Sequence, residues 1–116
     1  MAGSDVQRLI ERMGLQAHPE GGWYKETYRD TPEDGGRGAV TQIYYLLAAG
    51  ELSAWHRVTD ATEIWHHYAG APLVLTLSPN GHDAEAHTVG ADVLAGQTPQ
   101  GVVQPGWWQT SECLGQ

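Results

Sequence analysis

Two side chains near the middle of this chain have the types and spacing to move a proton or grip a metal: His56 and, seven residues on, Glu63. They lie in a stretch bracketed by Gly50 and Gly70 that also carries the aromatic-rich run Ile64-Trp65-His66-His67-Tyr68. His56-Arg57-Val58 reads as the end of one strand, Thr59 to Thr62 as a turn and Glu63 as the start of the next strand. Cross-strand neighbours come within reach of one hydrogen bond, one water or one metal. A carboxylate that orients an imidazole in a partly dry cavity makes a general acid/base pair. Tyr24, Tyr44 or Tyr45 can serve as the opposing acid, and Tyr24 is the first choice.

Elements must hold these groups in place. Ser4 to Met13 is the one clear helix, with Val6, Leu9, Ile10 and Met13 on one apolar stripe, a Ser4–Gln7 capping pattern and Gly14 as the stop. Pro19 and Gly21-Gly22 make a turn into a strand from Trp23 to Tyr28. Alternation along it places Tyr24, Glu26 and Tyr28 on one face, which suits a polar pocket wall with Glu26 binding substrate. An acidic, Gly-rich loop over 30–38 leads to an apolar strand over 39–48, and the next strand runs 52–58. Leu73 to Ser78 is a buried strand, Asn80-Gly81 signals a type I′ hairpin, and Ala84 to Val89 returns. Val102-Val103 and Trp107 to Thr110 are the last strand pieces. Short strands joined by turns predict one all-β domain, a sandwich, jelly roll or barrel spanning about 20–111 behind the short N-terminal helix.

Composition narrows the partners. Fourteen acidic against six basic residues give a net charge of −8, and Lys25 is the only lysine. No basic stripe is available to neutralise phosphates, which argues against nucleic acid. No apolar run reaches membrane-spanning length and no basic-then-apolar leader opens the chain, so neither a membrane nor export is expected. The single cysteine, Cys113, excludes an internal disulfide and fits the cytoplasm. Four tryptophans, Trp55, Trp65, Trp107 and Trp108, flank the chemistry-bearing positions. Indole faces suit sugar-like or cyclic ligands, although in a chain without Phe some of them must fill the core.

Four blocks, H-P-E-G-G-W-Y-K-E-T-Y-R (18–29), Y-Y-L-L-A-A-G-E-L-S-A-W-H-R-V (44–58), E-I-W-H-H-Y-A-G (63–70) and Q-P-G-W-W-Q (104–109), resemble the cupin superfamily. Within it they most resemble the small single-domain "cupin 5" family, also called domain of unknown function 985. The resemblance implies a double-stranded β-helix, or jelly roll, with a small-molecule pocket and often a homodimer. It also implies a ligand set: the first cupin motif, G-x5-H-x-H-x4-E-x6-G, is matched at His56 and Glu63, with Val58 in place of the second His. In the second motif Gln109 stands where metal-binding cupins carry a third His. If a divalent metal binds, its ligands are therefore His56, Glu63 and Gln109, with His67 the candidate to complete the shell, but no cofactor is the primary expectation, because Gln is a weak neutral donor. Members of the family usually continue for a further strand or two past this second motif, whereas the sequence here stops at Gln116, so a homodimer is expected to cover the edge.

Gly22-Trp23-Tyr24-Lys25-Glu26 is similar to the first-strand pattern of metal-free cupins that epimerise deoxysugar nucleotides, in which a base removes a proton next to a carbonyl and an aromatic hydroxyl returns one. Only five arginines are present, so a nucleotide-diphosphate grip is not expected. The resulting expectation is isomerisation, epimerisation or dehydration of a small sugar-like or keto/cyclic metabolite, with His56, Glu63 and Tyr24 as catalytic groups. Glu26, Tyr44, Trp55, Trp65, His67, Gln109 and Trp107 would bind substrate. Strand alternation favours His67 in the pocket beside Glu63 and Trp65, while the family likeness favours His66, and the sequence leaves that choice open. The alternative is a cupin that binds a small molecule or a metal without turning it over.

Overall fold

The computed structural model describes residues 3–115. Helix α1 (Gly3–Met13) is followed by β1 (Gln16–Ala17), β2 (Trp23–Arg29), β3 (Thr41–Leu46), β4 (Leu52–Arg57) and β5 (Glu63–His66). The chain continues through β6 (Leu73–Ser78), β7 (Glu85–Val89), β8 (Gln100–Val103) and β9 (Trp108–Cys113). Val6, Leu9, Ile10 and Met13 are half-buried and the residues between them exposed, as the stripe requires. Gly14, at φ +67°, ends the helix, and the amide of Leu15 reaches back to the Ile10 carbonyl at 2.9 Å. The cap expected at Ser4 lies outside the described side chains.

The strands form three antiparallel groups in the orders β1-β2-β3, β4-β9-β6-β7 and β5-β8. Together they make a mostly antiparallel β-sandwich. Along β6 the alternating leucines turn inward, and Leu75 and Leu77 join Val89 and Val103 in the buried core, with Trp65, Leu73 and Trp107 packed against it. Gly101 lets β8 approach this core, since a Cβ there would lie 2.9 Å from the Leu75 side chain.

Four local expectations are corrected. First, β4 and β5 are not a hairpin pair: β4 hydrogen-bonds to β9 and β5 to β8, so His56 and Glu63 come to the same cavity from different groups of strands. Second, a bulge between Glu26 and Tyr28 sets Glu26 opposite Ile43 and Tyr28 opposite Gln42. Adjacent residues of β3 point to opposite faces, so Tyr28 turns away from the Glu26 face. Third, the β6–β7 connection is not a type I′ turn, because no described non-glycine residue, Asn80 included, has positive φ. The Asn80 Oδ1 instead accepts from the amides of His82 and Asp83, both at 2.8 Å, and closes the loop through its side chain. Fourth, β9 begins at Trp108 and runs on past Thr110 to Cys113.

Candidate functional site

The turn before β2 sets one wall of the site. The amide of His18 bonds to the Gly22 carbonyl at 2.9 Å and that of Gly21 to the His18 carbonyl at 3.0 Å. Gly21 and Gly22 both have positive φ, and a Cβ on Gly21 would fall 2.2 Å from the Leu52 carbonyl oxygen. Only glycine allows the turn to press this closely on β4. The Tyr45 hydroxyl donates to the Gly21 carbonyl, and its ring meets His18 and Trp65 edge-on at 5.3 and 5.7 Å.

The opposite wall depends on an irregularity. Ser53 pairs with Ser111, and His56, three positions later, pairs with Gln109. Ser111 and Gln109 lie on one face of β9, so Ser53 and His56 share a face as well. A regular strand would have turned His56 outward; the bulge between them aims it in. Its Nδ1 lies 2.7 Å from the Ala54 carbonyl, which only accepts, so in the neutral ring Nδ1 carries the proton and Nε2 keeps its lone pair.

Gln109 joins the two walls. It is 1 % exposed, its Nε2 donates to Glu63 Oε2, and its Oε1 accepts from Trp65 Nε1 at 3.1 Å. One residue is therefore the cross-strand partner of His56 and the hydrogen-bond partner of Glu63. The space in front is a cavity of about 300 Å³ into which His18, Tyr45, Ser53, His56, Glu63 and Trp65 project. Burial raises the Tyr45 phenol above its ordinary value, the Ser53 hydroxyl works against that rise, and the carboxylates of Glu51, Glu20 and Glu63 add to it. The phenol is thereby held in its proton-donating form.

Several of the other candidates are placed differently. Tyr44 and His67 line the cavity. The His67 Nε2 is 3.4 Å from the Ala71 carbonyl, and its Nδ1 is buried without a partner. His66 is exposed at the rim and stacks on Tyr68 at 6.4 Å. Tyr24 meets the edge of His18 at 4.9 Å and does not line the cavity. Glu26 is exposed and pairs with Arg29 at 2.7 Å. Trp55, at 51 % exposure, faces out, and Trp107 packs on the core and borders a second cleft. His18 and Ser53 were not among the candidates. The only hint of His18 in the sequence is its place at the entry to the Pro19–Gly22 turn.

A model of the cupin superfamily family DUF985 matches residues 7–116. The chain belongs to that family. A hypothetical protein of Leishmania major superposes on this cupin with a TM-score of 0.78 at 31 % identity, over 91 % of this chain and 68 % of its own. A crystal structure of a Shewanella oneidensis protein superposes with a TM-score of 0.84 at 36 % identity, over 97 % of this chain and 70 % of its own. No curated protein matches the chain.

Metal-binding cupins raise the question of whether this site's residues suit an ion, and the donor set answers it. Both polar atoms of the Gln109 amide are taken, by Glu63 and by Trp65. Val58 offers no donor, so of the expected ligand set the His56 Nε2 and the Glu63 carboxylate remain, with the unpartnered His67 Nδ1 elsewhere on the cavity wall. Among the described residues no group of three or more His, Cys, Asp or Glu is arranged to hold a metal. The residues present do not fit the three-ligand set of a metal-binding site.

Proposed function

We propose that this cupin catalyses proton transfer on a small neutral or singly charged carbonyl compound, as an isomerase, epimerase or dehydratase. The observation that carries the reading is the pairing of a tautomer-fixed His56, its Nε2 free, with a Glu63 carboxylate clamped by a fully buried Gln109. The His56 Nε2 takes a proton from the carbon next to the carbonyl, and the Tyr45 phenol, exchanging its bond to the Gly21 carbonyl for one to the substrate, supplies one on the other side. One Glu63 oxygen is engaged by Gln109, and the other accepts a hydrogen bond from a substrate hydroxyl. Tyr44, Trp65 and His67 supply the remaining wall. No Lys or Arg lines the cavity, so a diphosphate has no cationic partner there.

The reading includes a homodimer in a reducing compartment. It is supported by the apolar Ile64 and Tyr68, 54 % and 79 % exposed beside the free edge of β5, and by the unpaired Cys113. Among the described residues no helix is long and apolar enough to cross a membrane.

The test is solvent-isotope exchange. The protein is incubated in D2O with a panel of aldoses, ketoses and 2-oxo acids, and deuterium at the carbon beside the carbonyl is read by mass spectrometry. Exchange with at least one compound, slowed about 100-fold or more in His56→Ala, is the expected result. Exchange that persists undiminished in His56→Ala overturns the mechanism. Saturable binding without exchange across the panel assigns the cavity to the non-catalytic reading.

A further inference from the structure

A second cleft, of about 400 Å³, lies across the core from the His56 cavity, in the gap between β7 and β8. Leu73 and Val89 face the first cavity while Leu75 and Leu77 face the second, so the core separates them. Register explains its lining. Glu85 stands opposite Leu77 and His87 opposite Leu75, which puts both on the inner face of the sheet. Val89 bridges to Thr98, ahead of β8, and among the described residues β7 and β8 themselves do not pair, so the gap stays open. The half-buried Trp107 forms an apolar floor over the buried Leu75 and Leu77, with Glu85 and His87 on one rim and Gln100 and Gln104 on the other.

The rim groups select a ligand chemistry. Glu85 Oε1 lies 3.3 Å from His87 Nε2, which fixes the imidazole and leaves its Nδ1 and the second carboxylate oxygen for a ligand. Gln104 is exposed, so its amide offers both a donor and an acceptor, while the Gln100 Nε2 lies 3.5 Å from His66 Nδ1. No lysine or arginine lines the cleft, which disfavours anions. An apolar floor carrying an indole, bounded by a few mixed donors and acceptors, matches a ring with a hydrophobic face and hydroxyls at its edge. We propose that the β7–β8 cleft is a second ligand site, for a neutral polyhydroxylated ring of monosaccharide size, independent of the His56 cavity.

The experiment is a titration of the full chain, followed by two-dimensional amide and indole NMR, with glucose, galactose and myo-inositol as probes. The expected result is saturable shifts at Glu85, His87, Gln100, Gln104 and the Trp107 indole with at least one probe. His87→Ala and Gln104→Ala, both exposed positions, should weaken that binding at least tenfold while isotope exchange at the His56 cavity continues. No saturable shift at these residues, shifts confined to the surroundings of His56, or binding that survives both substitutions would overturn the proposal. None of those results bears on the exchange assay, so the two readings fail separately.

Discussion

Strand β9 has two neighbours, and they are built differently. On one side β6 pairs with it in unbroken register from Leu73 opposite Cys113 to Ser78 opposite Trp108. On the other side β4 slips by a residue between Ser53 and His56. The regular ladder buries Leu75 and Leu77 and makes the core; the irregular one turns a histidine into the cavity. Regularity holds this sheet together, while the departure from it places the proposed base.

The comparison can be broken most severely at the bulge. Deleting Ala54 should restore plain alternation, face His56 outward and reduce isotope exchange to the level of His56→Ala; retained exchange would show that the bulge does not aim the ring. On the regular side, Leu75→Ala removes a side chain with no exposure and should lower unfolding free energy by about 2–5 kcal/mol in urea titration. Gln109→Leu keeps the bulk but leaves the Glu63 carboxylate and the Trp65 indole N–H without their partner. A loss of about 1–3 kcal/mol is expected, with exchange slowed as well, and a variant of wild-type stability would mean that the bridge's hydrogen bonds add nothing net to folding. Tyr45→Phe should cost about 0.5–1.5 kcal/mol through the lost bond to Gly21.

The smallest effect is one of pH. The folded state holds the Tyr45 proton above the ordinary value of 10.0, so it binds more protons than the unfolded chain in that range. Stability therefore falls as pH rises past about 10, and the fall should be shallower in Tyr45→Phe. Denaturant midpoints at pH 9 and above would check the sign.

From its residue order alone the chain declared an all-β domain with one short helix and most of its strands, and it nominated His56 and Glu63 as the groups to place. Those features are local: apolar periodicity, turn residues and motif spacing are written within a few positions of one another. What contacts between distant segments decided was how the two residues come to line one cavity. Spacing suggested a hairpin, but the fold brings them together through Gln109, 46 positions beyond Glu63, and through a one-residue slip that no alternation pattern encodes. His18 and Tyr45 likewise reach the cavity only because Gly21 and Gly22 let one turn rest against two strands. A pattern with a period of two shows which faces a strand has, whereas the direction each face takes depends on the register of its neighbours, and register is a property of the assembled sheet.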